Sequence, residues 1–353
     1  MERVVVGMSG GVDSAVAAYL LQKSGYDVIG VTLRTWVGDS GEESRCCEIS
    51  DARAIADVLD IPYYVHDCQA EFKSCVTEPF IKDYICGITP NPCIECNRKL
   101  KWHKMMEMAD NLGAAYVATG HYATVELLPN KRFTVRRADN LAKDQTYMLY
   151  KLTQEQLSRT LMPLGALTKD EVRKIAKTVG IPVADKADSQ EICFVSDDDY
   201  AGYIEANYDG PLPGEGDFVD EEGNVLGRHK GVIHYTVGQR KGLGIAFGHP
   251  MYVKRIDTAR NEVVLSDNES LFTDTVVCRD INLMGISGIA DGAEIRCRAK
   301  VRYRHDPEEA LARMDGQGHL VIKFDKHVRA AAPGQSAVMY DERDCIIGGG
   351  III

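Results

Sequence analysis

At 353 residues, with 45% hydrophobic and 26% charged side chains, the chain has room for two or three domains and a core that needs no staples. No apolar run approaches the ~20 residues of a membrane span, and no leader precedes the first β-branched run, so the expected location is cytoplasmic, with no membrane partner. A net charge of −11 excludes indiscriminate nucleic-acid binding, though not a local basic surface.

The first half alternates strands and helices. Val4 to Met8, Asp27 to Leu33, Pro62 to His66 and Tyr116 to Thr119 read as strands, and the spacing predicts helices near 13–24, 50–59, 70–85 and 96–112, with Gly25 and Gly113 as C-terminal caps. This pattern predicts an α/β fold with a doubly wound parallel sheet, whose ligands bind at the carboxyl ends of the strands. There stands Gly7-Met8-Ser9-Gly10-Gly11-Val12-Asp13-Ser14. Strand, glycine-rich turn and helix N-terminus together cradle an anion, and a phosphate chain is the expected one. The spacing fits neither the Walker pattern nor Gly-x-Gly-x-x-Gly. Ser-Gly-Gly-x-Asp-Ser resembles the pyrophosphate loop of enzymes that cleave ATP to AMP and pyrophosphate, which implies adenylation of a substrate oxygen with Asp13 near Mg²⁺ and pyrophosphate.

Eleven cysteines, an odd number in what reads as a reducing compartment, point to thiol chemistry or metal ligation rather than disulfides. Eight lie in the first 200 residues: Cys46, Cys47, Cys68, Cys75, Cys86, Cys93, Cys96 and Cys193. In Pro90-Asn91-Pro92-Cys93-Ile94-Glu95-Cys96-Asn97 two prolines restrict the loop, and Cys96 is expected at or near a helix N-terminus. The helix dipole with Arg98, Lys99 and Lys101 would favour its thiolate, the nucleophilic form. Cys93-x-x-Cys96 lacks the second pair a structural zinc site needs and the usual context of a thioredoxin-like pair. With Cys193 as third ligand it could hold an iron–sulfur cluster with one open iron site; a buried core thiol is the plain reading of Cys193. The remaining five cysteines default to loop and core positions.

Thr168 and Glu171 form a capping box before a helical pattern that Gly180-Ile181-Pro182 ends. Beyond about 207, short alternating runs (Val232 to Val237, Met251 to Ile256, Glu262 to Leu265, Ile295 to Tyr303, Leu320 to Phe324) predict antiparallel sheet or barrel. The expected domains are 1–206, nucleotide-binding and catalytic; 207–268, a small β-rich linking domain; and 269–353, a C-terminal β-barrel. Arg296, Arg298, Lys300, Arg302 and Arg304 recur at period two, predicting a strand with one basic face suited to phosphates, a solvated edge being the alternative.

The joint occurrence of the phosphate loop, Asn91-Pro92-x-x-x-Cys96-Asn97, Ala118-Thr119-Gly120-His121-Tyr122, Lys143-Asp144-Gln145-Thr146-Tyr147, Ser189-Gln190-Glu191-Ile192-Cys193-Phe194 and Tyr235-Thr236-Val237-Gly238-Gln239-Arg240 resembles the tRNA-specific 2-thiouridylase family over essentially the whole chain. That family replaces the C2 oxygen of the wobble uridine with sulfur, consuming ATP. The resemblance implies an adenine nucleotide alpha hydrolase-like first domain in which Gly7 to Ser14, Leu33 and Gly120 bind ATP. It implies that Asn91, Pro92 and Cys93 meet the flipped target base, and that His121, Lys143, Asp144, Gln145, Arg302, Tyr303 and Gln335 touch the tRNA anticodon region. Cys193 would carry a persulfide delivered by a sulfur carrier or cysteine desulfurase, and Cys96 would release the sulfur by forming a disulfide with Cys193. Several members have Asp where this chain has Cys93. That difference keeps the iron–sulfur alternative, with sulfide as donor, in view. An adenylating ligase sharing the loop would have no use for paired cysteines, and a non-catalytic RNA binder would have none for an intact phosphate loop.

Overall fold

The computed structural model describes residues 1–38, 47–186, 192–195, 199–245 and 247–353. Strands β1 (Arg3–Gly7), β2 (Asp27–Arg34), β3 (Tyr63–Asp67) and β4 (Tyr116–Ala118) lie close to their expected bounds. Helices α1 (Val12–Lys23) and α2 (Ile49–Leu59) pack on β1 and β2. The hairpin β5 (Ala123–Leu127) and β6 (Phe133–Arg137) follows, then the two-residue β7 (Thr160–Leu161). The parallel sheet runs β3-β2-β1-β4-β7. Its order reverses at β1, so the crevice between the carboxyl ends of β1 and β4 is the topological switch point where such sheets bind ligands.

The helical stretch expected over 70–85 consists of α3 (Gln69–Phe72), a π turn at Lys73–Thr77 and α4 (Glu78–Ile85). Pro79 cannot donate to the carbonyl of Cys75 four residues back, which suits the register shift there. The next helix starts earlier than expected: α5 (Pro92–Glu95) leads through a second π turn, Cys96–Lys101, into α6 (Trp102–Asn111). Pro92, with φ preset and no N–H to lose, opens it. After α7 (Gln154–Ser158), α8 (Lys169–Val179) carries the expected capping box, Thr168 with Glu171, and ends on Gly180 at φ 81°. Helix α9 (Tyr200–Asn207) closes this half.

The middle sheet orders β10 (Tyr252–Asp257), β11 (Glu262–Ser266), β8 (Gly216–Val219) and β9 (Val225–His229). Val232 to Val237 is not a strand. Val232–His234 form a 3₁₀ turn after Gly231, at φ 125°, which packs Val232 and Tyr235 against the buried Phe218. Strands β12 (Phe272–Asn282), β13 (Ile295–Lys300), β14 (Glu308–Met314), β15 (Leu320–Arg329), β16 (Ser336–Tyr340) and β17 (Ile346–Ile352) close an antiparallel barrel in the order β12-β15-β14-β13-β16-β17.

The barrel shares a core with the first half: Tyr147, Leu149 and Tyr150 pack in one cluster with Met284, Val338, Tyr340 and Ile346. Backbone carbonyls are matched across the seam, with Arg132 Nε donating to Met284 O at 3.0 Å and Tyr147 OH to Ser336 O at 2.8 Å. Beside them the Asp144 carboxylate accepts from Arg137 Nε at 3.2 Å and Thr146 Oγ1 at 2.9 Å, with Lys300 Nζ at 3.7 Å. Asp144, one of the residues expected to touch tRNA, lies buried at the centre of this network.

Candidate functional site

The phosphate loop is closed by its own serines. Ser14 Oγ donates to Gly11 O at 3.0 Å and accepts from Ser9 N at 3.2 Å. Gly10, at φ 78°, faces Glu48 O so closely that a Cβ would lie 2.6 Å from it. Gly120, just past β4, meets the loop from the other side: a Cβ there would stand 2.6 Å from Asp13 C and Ser14 N. Leu33 sits buried near the carboxyl end of β2. The ATP-binding residues expected from sequence therefore gather at the switch point. Gly120→Ala has no room and must push the loop away from the anion position. We expect nucleotide affinity to fall more than about tenfold, roughly one hydrogen bond to a charged group, with little loss of fold, measured by calorimetric titration with a non-hydrolysable ATP analogue.

Asp13 is engaged by a residue that sequence reasoning missed. Lys169 Nζ, at the first position of α8, lies 2.7 and 2.8 Å from the two carboxylate oxygens, and Tyr122 OH donates at 2.8 Å. The carboxylate is thus already oriented toward a cation beside the phosphate loop. No local signal marks Lys169, which reads as an ordinary first-turn residue behind its capping box.

The cysteine loop is held by the barrel. Gln335 Nε2 donates to Thr89 O at 3.0 Å and Pro90 O at 3.3 Å, and Thr89 N donates to Pro333 O at 2.9 Å. Gln335 therefore shapes the approach to Asn91, Pro92 and Cys93. Cys93, half-buried, occupies the first turn of α5, whereas Cys96 begins the π turn one helical turn later and is 6% exposed. The expectation of Cys96 at a helix N-terminus is corrected by the early start at Pro92; Cys93 takes the dipole end. Asn97 Nδ2 donates to Met148 O at 3.0 Å, fixing this turn from below.

Cys193 is half-buried and packs against the same hydrophobic cluster as Cys96, Ile94 and Leu100. Phe194 anchors it, its ring 5.2 Å from Phe80 and 5.6 Å from Phe72. Ser189, Gln190 and Glu191 of the same motif, and Cys46, lie outside the described residues. Among the described residues no three His, Cys, Asp or Glu side chains converge as metal ligands. The Cys93, Cys96 and Cys193 set thus does not fit an iron–sulfur cluster, and the alternative with sulfide as donor is not favoured.

His121 Nδ1 lies 2.8 Å from Thr119 Oγ1, and its ring is 5.6 Å from Trp102. Burial, with Lys101 nearby, pushes its pKa down to about 3, so the ring is neutral at physiological pH. Gln145 Oε1 accepts from Tyr122 N at 2.9 Å, and half-buried Lys143 ends a 3₁₀ turn. Tyr303 packs against the same hydrophobic cluster as Cys96 and Cys193, its ring 6.2 Å from Tyr147.

The expected basic strand is corrected. It ends at Lys300, so Arg302, Tyr303 and Arg304 fall in the following turn. Its cations are already matched: Arg296 by Asp325 and Glu309, Arg298 by Asp344, Lys300 by Asp144. The Arg302 guanidinium donates to Val237 O at 2.7 Å and Ala330 O at 3.0 Å, tying the segment after the 3₁₀ turn to the barrel. Of the five, Arg304 alone combines exposure with a place off the strand.

Behind the cysteine helix, Lys151 Nζ bridges Glu95 at 2.8 Å and Asp280 at 2.6 Å, and Arg98 reaches Asp280 at 3.1 Å. A cavity of about 180 Å³ opens beside this network, lined among others by Pro92, Asp83, Arg279 and Ser336. Burial alone would raise the Glu95 pKa, but the ammonium groups of Lys151 and Lys99 outweigh it; Asp280 is likewise held low against its desolvation by Lys151 and Arg98. A carboxylate held low stabilises the fold above its unfolded pKa and loses that contribution as pH falls through the folded value. Lys151→Met removes the ammonium shared by two carboxylates that keep Lys99 and Arg98, and should therefore cost about 1–3 kcal/mol near pH 7. The gap from wild type should narrow below about pH 4; urea unfolding across pH tests this, and a gap independent of pH rejects the ionic origin.

Comparisons with known proteins place the whole chain. Residues 2–197 match the family described as tRNA methyl transferase HUP domain, 209–267 the tRNA methyl transferase PRC-barrel domain, and 273–352 the aminomethyltransferase beta-barrel domain. The tRNA-specific 2-thiouridylase MnmA of Lachnoclostridium phytofermentans is 51% identical over 360 residues, covering 100% of both chains. That of Clostridioides difficile is 48% identical, covering 99% of this chain and 98% of its own. Among solved structures, a 4-thiouridine synthetase–RNA complex with bound ATP aligns at TM-score 0.38 and 18% identity, covering 55% of this chain and 45% of that one. Full-length identity at this level, with a phosphate loop at the switch point and two thiols on one cluster, shows that the chain belongs to the tRNA-specific 2-thiouridylase family.

Proposed function

We propose that this chain replaces the C2 oxygen of the tRNA wobble uridine with sulfur in an ATP-dependent reaction, using Cys193 as sulfur carrier and Cys96 as its resolving partner. The observation that carries the sulfur route is the packing of Cys96 and Cys193 against one cluster, beside a base-facing loop that the barrel holds in place. ATP would lie along Gly7 to Ser14, with Leu33 and Gly120 closing the crevice. Magnesium arriving with ATP would be held by Asp13 in place of the Lys169 ammonium, and would supply charge neutralisation to the departing pyrophosphate.

Uridine O2 attacks the α-phosphorus and pyrophosphate leaves, so a poor leaving group becomes AMP. The outer sulfur of a Cys193 persulfide adds to C2 and AMP departs with the former O2. Cys96 thiolate then attacks Cys193 Sγ; the Cys193–sulfur bond breaks, a Cys96–Cys193 disulfide forms, and the sulfur stays on C2 as the thiocarbonyl. An external thiol must reduce the disulfide, and a persulfide-donating protein must reload Cys193. The base has to leave its stack to reach Asn91, Pro92 and Cys93, which costs least in a single-stranded anticodon loop. No helix among the described residues is long and apolar enough to cross a membrane. Mass spectrometry of nucleosides from unmodified tRNA incubated with protein, ATP, Mg²⁺ and a persulfide donor tests the proposal: 2-thiouridine is expected, and AMP formation with another acceptor but no 2-thiouridine would sink it.

A further inference from the structure

The phosphate loop has an outer wall that belongs to another element. Glu48, the residue that opens α2, donates from its backbone N to Ser9 O at 3.2 Å, and its carbonyl closes over Gly10 while accepting from Ala52 N at 3.0 Å. Asp51 stands beside it, its Cβ 3.2 Å from where a Cβ on Gly10 would lie. Carboxylates at the start of a helix ordinarily serve its free amides, but the Glu48 side chain makes no cap. Instead Lys186 Nζ bridges the two acids, reaching Asp51 Oδ2 at 2.5 Å and the Glu48 carboxylate as well. Burial alone would lower the Lys186 pKa; the hydrogen bonds to Asp51 and Glu48 outweigh it, so the bridge is ionic at neutral pH.

Lys186 is itself firmly placed. Its N donates to Val183 O at 3.0 Å, its O accepts from Arg173 Nη2 of α8 at 3.3 Å, and Val183 and Ala184 are buried in the core that α1 and α2 share. Helix α8 and the turn after it thus grip the loop at two places: Lys169 holds Asp13 within it, and Lys186 holds Glu48 and Asp51 outside it. Two carboxylates set against a phosphate cradle repel its ligand, and such a local conflict calls for a compensating gain. We infer that Lys186 is a positioning residue for the phosphate loop, acting through Glu48 to hold Ser9 and Gly10 in the conformation that presents their amides to ATP. The inference rests on ATP phosphates lying on this loop. Because the ammonium is taken up by the two carboxylates, what it gives the nucleotide is the shape of the loop rather than a charge.

The test is calorimetric titration of the full chain with a non-hydrolysable ATP analogue and Mg²⁺, and separately with adenosine, which lacks the phosphates. Lys186→Met should weaken analogue binding about tenfold and leave adenosine binding unchanged. The melting temperature should fall by only a few degrees, since all three side chains are about a third exposed. Lys186→Arg, whose guanidinium can serve both carboxylates, should recover most of the loss. Lys186→Met/Glu48→Gln/Asp51→Asn separates shape from charge: it removes the repulsion together with the ammonium, and should bind the analogue as weakly as Lys186→Met. Recovery of wild-type affinity in that triple variant would reveal a charge effect and overturn the inference. So would an unchanged affinity in Lys186→Met, or an equal loss for analogue and adenosine, which marks a general loosening of the domain. A wild type that binds the analogue no better than adenosine would overturn instead the placement of ATP on the loop.

Discussion

Cys193→Ser and Cys96→Ala are each expected to abolish 2-thiouridine formation, a loss of more than about a thousandfold, while ATP-dependent pyrophosphate release with tRNA persists. The split follows from the separation of the two half-sites. In the proposed mechanism adenylation uses the loop from Ser9 to Ser14 and Gly120, whereas sulfur delivery uses the two thiols. The 6% exposure of Cys96 makes some destabilisation certain, about 1 kcal/mol for removing one buried heavy atom, which chemical denaturation separates from chemistry. The two variants also differ from each other. Cys193→Ser cannot be loaded with persulfide, whereas Cys96→Ala should load and then stall with tRNA covalently attached through sulfur, visible as a thiol-reversible shift in mass. Equal loss of pyrophosphate release in both variants would mean that the thiols serve substrate binding rather than sulfur transfer.

Asp144→Ala is expected to lower stability by about 3–5 kcal/mol, since it leaves Lys300 buried without its carboxylate and Arg137 with Asp344 as its remaining one. The side chain is 2% exposed and accepts from Thr146 as well, so nothing in solution replaces these partners. Denaturant unfolding measures the loss, and tRNA affinity well below the melting temperature should stay within about threefold of wild type, under 1 kcal/mol. A variant as stable as wild type that binds tRNA tenfold more weakly would reverse the assignment and return Asp144 to the RNA surface.

The parallel sheet and phosphate loop were legible because their signals are local: β-branched strands, glycines at the turn, caps at the helix ends. The barrel was legible as texture. What escaped depends on contacts distant in sequence. Period two showed that Arg296, Arg298 and Lys300 share a face, but their partners Asp325, Asp344 and Asp144 come from elsewhere in the chain, and only the fold shows that the face is neutralised. Val232 to Val237 carries a strand-like pattern, yet Gly231 turns the chain and the apolar residues pack on Phe218 without joining a ladder. Lys169 had no signal because its role exists only where α8 meets the loop after β1. Cys96 was displaced by one turn because Pro92 begins the helix rather than merely restricting its approach.

The grip of Gln335 on the carbonyls of Thr89 and Pro90 bears on how the enzyme comes into being. The clamp and the loop it holds are 246 positions apart, and Gln335 is itself held by β17, through Ile352 N on Gln335 O at 2.8 Å. During synthesis the last residue of the first domain is made roughly 6–26 s before Gln335, which shapes its cysteine loop, at ribosomal rates of about 5–20 residues per second. In that interval a nascent chain has a nucleotide pocket without a finished place for the base. Activity is therefore a property of the completed polypeptide, and a chain cut short within β17 would bind ATP while leaving its thiols without a positioned substrate.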